Sequence, residues 1–434
     1  MHQPMKRIDQ IAAELQGYDP QALRCADVNR FLAQLVQPVQ DSACVPLAQA
    51  LDRVLAQDVS SPINVPAHDN SAMDGFALDG AQLAQGALRL QVVGTALAGR
   101  AWGGQVASGQ CVRIMTGAIM PAGLDTVLPQ ELARIEGDQV CIAAGTLQCG
   151  ENRRLCGEDL KQGQPALRQG QRVGPAALGL LASLGLQQVL VYRRLRVAYF
   201  STGDEILSLG QAPREGAIYD SNRYTVSGLL RHLGAEVIDL GVVPDDPAQL
   251  EAAFLRAAAQ CDAIITSGGV SVGEADYTKA MMRKLGEVAF WKIAMRPGRP
   301  MAVGRILRDA AGPDQLSAAV LFGLPGNPVA VMVTFLAFVR PALLQMMGSS
   351  ESAPPLLRAH STEPLRKKPG RTEYQRGVVS TAPDGRLQVR STGNQGSGVL
   401  SSMVRANGLI VLHHDQGHVA AGDLVDVMML DGVC

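Results

Sequence analysis

Between residues 195 and 347, short apolar runs alternate with amphipathic runs of helical period, and this alternation constrains the fold more than any other feature of the chain. Residues 195–200, 236–240, 263–266 and 320–322 have the length and apolar character of buried strands. Ser221–Leu233, 247–259 and 276–285 have helical spacing, and Gly234 stops the first of these. After the last strand, Asn327 is placed to cap a helix whose first turn holds Pro328. Strands separated by helices predict a parallel, doubly wound sheet covered on both faces, with right-handed crossovers. Every strand then aims its carboxyl end at one edge, where a ligand site is expected.

The flanking segments read differently. Residues 1–25 read as a flexible N-terminal extension. Residues 26–61 and 160–192 form a mixed, helical lobe, with helices expected at 28–36 behind Asp27, at 47–56, and at 175–184. Residues 62–159 hold β-type runs at 88–93, 111–115, 126–131 and 140–143 between glycine-rich turns, the pattern of a β-rich insertion. Residues 193–347 are the α/β unit. Residues 348–434 alternate again, with Pro383-Asp384-Gly385 as a hairpin signal, and predict a small β-barrel. The fold class is therefore multidomain α/β plus β.

Composition closes off several function classes. The 434 residues carry a net charge of −1 and only 4% aromatics, so neither phosphate neutralisation nor base stacking on nucleic acid is expected. None of the eight cysteines forms a Cys-x-x-Cys pair, which suits a reducing compartment and no structural zinc. Residues 1–16 lack an apolar leader, and the apolar stretch 329–339 is too short to span a bilayer. A cytoplasmic enzyme without membrane partners is expected.

Four loops follow the strands of the α/β unit: Ser201-Thr202-Gly203-Asp204-Glu205, Pro244-Asp245-Asp246-Pro247, the run from Ser267-Gly268-Gly269-Val270-Ser271 to Asp276, and Gly323-Leu324-Pro325-Gly326-Asn327-Pro328. The Ser267 loop opens a helix, and its side-chain-free amides suit a phosphate, although a tight strand-to-helix turn explains it equally well. It matches neither the P-loop nor the dinucleotide fingerprint. Glu205, Asp245 and Asp276 sit at three strand ends, and carboxylates grouped beside phosphates point to magnesium. Helix capping and solvated turns are the plainer readings of each acid alone. Lys292, Arg296 and Arg299 lie around Pro297, Gly298 and Pro300 in a rigid basic loop suited to oxyanions. His413, His414 and His418 invite a metal reading, but adjacent histidines on a strand face opposite ways, and an exposed hairpin is expected.

The insertion carries Asp69-Asn70-Ser71-Ala72-Met73-Asp74-Gly75, Arg113-Ile114-Met115-Thr116-Gly117-Ala118 and Arg153-Arg154-Leu155-Cys156-Gly157-Glu158-Asp159. Together with the Ser267 and Gly323 loops, and in this order, these strings resemble the molybdopterin molybdenumtransferase family, which includes MoeA and the gephyrin E domain. The resemblance runs from about residue 47 to the C-terminus. It implies a central molybdopterin-binding domain and an elongated homodimer whose sites combine the insertion of one subunit with the α/β domain of the other. It implies catalytic roles for Asp74, Thr116, Asp159, Glu205, Asp245, Asp276, Pro325 and Pro328. It places Ser267, Gly268, Gly269, Ser271, Lys279, Lys292, Arg296 and Arg299 against substrate, with magnesium on Glu205, Asp245 and Asp276.

The activity so implied is insertion of molybdate into adenylylated molybdopterin with release of AMP. The molybdopterin adenylyltransferase and molybdoenzyme chaperones are implied as partners. Adenylylation of molybdopterin and a non-catalytic scaffold are the rival activities. Relatives often carry lysine where this chain has Arg296 and Arg299, so a planar, bidentate cation replaces a point charge.

Overall fold

A computed structural model describes residues 6–269, 277–308, 318–351 and 353–430. Its centre is a six-stranded sheet, with strands numbered here β1 (Arg196–Thr202), β2 (Glu236–Val243), β3 (Ala263–Ser267), β4 (Gly286–Lys292), β5 (Pro300–Leu307) and β6 (Ala318–Leu324). The order across the sheet is β2-β1-β3-β6-β5-β4. Strands β2, β1, β3 and β6 are mutually parallel, as the alternation requires. The edge pair is not: β5 runs antiparallel to both β6 and β4, so the sheet is mixed. Gly304 and Arg305 interrupt the apolar run of β5, which hid it from a reading by hydrophobic pattern.

Successive residues of a strand face opposite ways, and the sheet uses both faces. Val197, Tyr199, Ile265 and Phe322 face the helices α1 (Ser221–Leu233) and α4 (Pro328–Met346). Ala198, Phe200, Ile264 and Leu321 face α2 (Pro247–Gln260) and α3 (Tyr277–Leu285). Phe200 meets Phe254 of α2 edge to face at 5.1 Å. Each fully buried side chain of this size contributes about 1.5–3 kcal/mol.

α4 continues past residue 339, through a π-helical turn at Phe335–Val339, to Met346. Pro341 has no N–H to give the preceding turn, which widens the ladder there. By length and composition α4 could cross a membrane, but 78% of its apolar window is buried inside the protein, where it forms the core of this face.

The N-terminal segment departs from expectation. Residues 6–25 do not form a flexible extension: Ile8–Glu14 is a helix with Ile11 fully buried, and Leu23 is buried with it. A second helix, Cys25–Leu35, begins before Asp27 and buries Val28, Phe31, Leu32 and Leu35 in one stripe. This stripe packs on the central domain, where Phe31 meets Trp291 edge to face at 4.9 Å.

Arg305 of β5, 2% exposed, donates to the carbonyls of Lys6 and Leu35, both at 2.7 Å, and so ties both helices to the sheet. Replacing it with alanine orphans two acceptors and leaves a void. Arg305→Ala is expected to cost about 3 kcal/mol and to accelerate amide exchange in residues 8–14. Calorimetry and hydrogen exchange would check this, and unchanged exchange would show that the segment is held by apolar packing alone.

The lobe of residues 26–61 and 160–192 is less helical than expected. Residues 47–56 form only a 3-10 turn, Leu47–Gln49, because Val54 and Leu55 turn into bridges with Arg172 and Val191. Ser42–Pro46 pairs with Gln188–Tyr192, and Pro175–Ser183 is helical. The insertion is a second six-stranded sheet with a core on each face. At the C-terminus, five strands close into a barrel in the order Thr372–Thr381, Leu387–Ser391, Leu357–Ser361, Leu424–Met429, Gly408–Leu412 and back. Met295–Arg296 pairs in parallel with Thr372–Glu373, so the barrel is stitched to the basic loop.

Candidate active site

The chain leaves β1 for β2 on one side and crosses back to β3 on the other, which opens a crevice between the carboxyl ends of β1 and β3. A cavity of about 800 Å³ lies there. Its floor is Ser201, Thr202, Ser267, Gly268 and Gly269. Beneath the floor the Tyr199 hydroxyl lies 2.8 Å from Ser201 Oγ and 2.7 Å from Ser267 Oγ, and burial raises its pKa. Gly268 is the tighter of the two floor glycines against backbone. Its φ is +91°, and a Cβ there would stand 2.5 Å from the carbonyl oxygen of Thr202.

Acids and acceptors form one wall. Glu205, Asp245, Asp220 and Asn222 line it. Asp220 caps α1, accepting from the Arg223 N–H at 3.0 Å, and Asn222 Nδ2 donates to the Gly326 carbonyl at 2.7 Å. Cations form the other. Arg296 and Arg299 are exposed on the turn around Gly298, where φ is +96° and the Thr334 hydroxyl oxygen would lie 2.4 Å from an added Cβ. The turn therefore sits directly on α4.

The barrel completes the cavity with Arg371 and with Gln395, Gly396 and Ser397. Arg371 pairs with the buried Glu373 at 2.7 Å. Behind it Arg376, 1% exposed, holds the carbonyls of Asn394 and Gly396 and the Ser402 hydroxyl. Burial, and then the nearby charge of Arg296, lower its pKa to about 10. The Ser397 carbonyl accepts from the Val329 N–H in the first turn of α4, which fixes the barrel loop against the Gly323 loop.

Of the residues expected at the site, Glu205, Asp245, Ser267, Gly268, Gly269, Arg296, Arg299 and Pro325 line this cavity. Pro328 opens α4 just behind it. Lys292 ends β4 opposite Pro300, and Lys279 lies in α3; neither lines the cavity. Ser271 and Asp276 lie outside the described residues. No described residue of the insertion lines the cavity either. There, Asp74 Oδ1 accepts from the Thr116 N–H at 2.6 Å and from its hydroxyl at 2.7 Å, which holds the Asp74 carboxyl below its ordinary range. Asp159 is exposed, and its N–H donates to the Val65 carbonyl.

Reasoning from sequence missed Asp220, Asn222, Arg371 and Ser397. The first two lie in Asp220-Ser221-Asn222, whose capping pattern was the only available signal. The other two come from a different domain and leave no local trace.

His413 Nε2 lies 2.6 Å from Asp426, and His418 Nδ1 accepts from the Lys367 N–H. Among the described residues no group of three or more His, Cys, Asp or Glu side chains is arranged to hold a metal by itself. The cavity does offer the hard oxygens magnesium takes. That ion commonly binds through one or two carboxylates plus substrate phosphates, which Glu205 and Asp245 fit.

Three family models match the chain: the MoeA N-terminal region (domain I and II) over residues 23–185, a probable molybdopterin binding domain over 198–345, and the MoeA C-terminal region (domain IV) over 358–430. A Haemophilus influenzae protein named molybdopterin molybdenumtransferase is 44% identical over 92% of this chain and 96% of its own length. A Nostoc protein of the same name is 37% identical over 90% of this chain and 89% of its own length. A crystal structure of the molybdopterin biosynthesis MoeA protein from Pyrococcus horikoshii superposes with a TM-score of 0.79 at 25% identity, covering 94% of this chain and all of that one.

Proposed function

The chain belongs to the molybdopterin molybdenumtransferase family and acts in molybdenum cofactor biosynthesis, and from that premise we propose that its strand-end cavity inserts molybdate into adenylylated molybdopterin and releases AMP. One observation carries the assignment: a single crevice at the switch point holds a cationic wall of Arg296, Arg299 and Arg371 opposite an acidic wall of Glu205 and Asp245. The reaction needs both, because a tetrahedral dianion must approach a pyrophosphate. Fixed guanidinium groups offset that repulsion without reorganising. Adenylylation of molybdopterin is not favoured.

In this reading Arg296 and Arg299 bind molybdate, Arg371 binds the phosphates, and the amide of Gly269 approaches an oxyanion, while the Gly268 N–H is held by the Leu324 carbonyl. Glu205 or Asp245 orients the water that attacks the pyrophosphate. Glu205 and Asp245, with Asp276 as a further ligand, would hold magnesium, which would supply positive charge to offset that of the phosphates. Asp74, Thr116 and Asp159 complete the site from the other subunit of a homodimer. The enzyme works in the cytoplasm, between the adenylyltransferase that supplies its substrate and the chaperones that accept its product. We also propose the division into an N-terminal lobe, an insertion, an α/β domain and a barrel as four domains.

The test is AMP release from adenylylated molybdopterin with magnesium, with and without molybdate. Wild type should release AMP only when molybdate is present; molybdate-independent release, or none, would overturn the assignment. In the same assay Arg299→Ala should raise the molybdate concentration for half-maximal rate about tenfold, or ~1.4 kcal/mol. Its melting temperature should stay unchanged, because Arg299 is exposed. Arg299→Lys should recover most of the loss.

A further inference from the structure

Three buried oxygens of cavity-lining residues have no hydrogen-bond partner among the described residues: Asp220 Oδ2, Asn222 Oδ1 and Thr202 Oγ1. Their residues are 4%, 9% and 3% exposed. Buried acceptors are rarely left unpaired, because the lost hydration is not recovered. The remaining polar atoms of Asp220 and Asn222 are engaged. Asp220 Oδ1 accepts the Arg223 N–H in capping α1, and Asn222 Nδ2 is held by the Gly326 carbonyl. The basic side chain next to them, Arg223, is turned away, with Nε 2.8 Å from Asp239 Oδ2. Asp220 Oδ2 and Asn222 Oδ1 are therefore acceptors that await donors, and the Thr202 hydroxyl beside them can donate or accept.

The inference rests on the reading that the cavity takes a pterin substrate. We infer that Asp220, with Asn222 beside it, reads the 2-amino, N3–H edge of the pterin and so decides which end of the substrate enters this side of the cavity. That edge presents two adjacent N–H donors, the complement of the two free acceptors Asp220 Oδ2 and Asn222 Oδ1. The adenine at the other end presents a donor beside the lone pair of N1, and that lone pair would face the carboxylate oxygens. A divalent cation fits less well. Asp220 stands at the positive end of α1, whose dipole disfavours a second positive charge there but leaves a neutral N–H pair unaffected. The cationic wall then receives the phosphates, and the substrate lies across the β1–β3 crevice in one direction only.

Asp220→Asn tests this cleanly. Asparagine caps helices as well as aspartate does, so α1 and the melting temperature should be preserved. The substitution places an N–H₂ where the free oxygen was, opposing the pterin donors. Binding of pterin, AMP and Mn²⁺ would be measured separately on wild type and variant, by fluorescence, calorimetry and electron paramagnetic resonance.

Pterin affinity should fall about tenfold or more, with AMP and Mn²⁺ affinities within about twofold of wild type. Pteridin-4-one, which lacks the 2-amino group, should bind wild type more weakly than pterin does, and Asp220→Asn should erase that difference. Equal pterin binding by both proteins would overturn the inference alone. So would loss of Mn²⁺ with pterin binding retained, which would make Asp220 a cation ligand. Absence of pterin binding to wild type would overturn the inference together with the functional reading beneath it.

Discussion

Gly268→Val is expected to lower molybdate-dependent AMP release by at least about a hundredfold. Two facts combine at this position. The backbone is at φ +91°, where a β-branched residue is strained, and a Cβ would stand 2.5 Å from the Thr202 carbonyl oxygen. The clash falls on backbone, so no side chain can rotate to relieve it. The ends of β1 and β3 must part, and the floor of the crevice moves with them. Displacements of about 1 Å at a reacting centre typically cost two orders of magnitude in rate. Steady-state kinetics beside a melting curve would check the prediction. A normal rate in a folded variant would mean that the crevice floor does not position substrate.

Mixing Asp74→Ala chains with Glu205→Ala chains, each inactive alone, is expected to restore activity. Asp74 and Thr116 form a locked, exposed pair in the insertion, whereas Glu205 lines the cavity of the α/β domain and no described residue of the insertion reaches that cavity. If one subunit's insertion serves its partner's cavity, a mixed dimer carries one site free of both substitutions and one site with both. Random re-pairing puts about half of the dimers in that state, so recovery has a ceiling of roughly a quarter of wild type. Subunit exchange would be confirmed by mass spectrometry before assay. Complete exchange with no recovery would place both residues in one chain's site.

The legibility of this fold from sequence follows the range of the interactions involved. Helix Ser221–Leu233 was readable to the residue, because Gly234 in the left-handed region ends it within one turn. The parallel strands and the edge carrying their loops were readable for the same local reason. Strands β4 and β5 were not: Lys292 and Arg296 at the turn between them read as a basic loop, and Arg305, buried in the structure, breaks the apolar run of β5. The helix at residues 8–14 is only seven residues long and stable only against the sheet, so nothing local announces it. At the site, Glu205, Asp245 and the Ser267 loop came from strand-end placement alone. Arg371 and Ser397 arrive from the barrel, and only three-dimensional contact brings them in.

The hydrogen bond from Arg305 to the Lys6 carbonyl joins residues 299 positions apart. A ribosome making about 5–20 residues per second needs roughly 15–60 s to travel that distance. For most of that interval the stripe of Val28, Phe31, Leu32 and Leu35 has only the short helix Ile8–Glu14 beside it, because Trp291 and α4 do not yet exist. The beginning of the chain is thus among the last parts to reach its native place, and nascent protein carries an exposed apolar helix through most of its own translation.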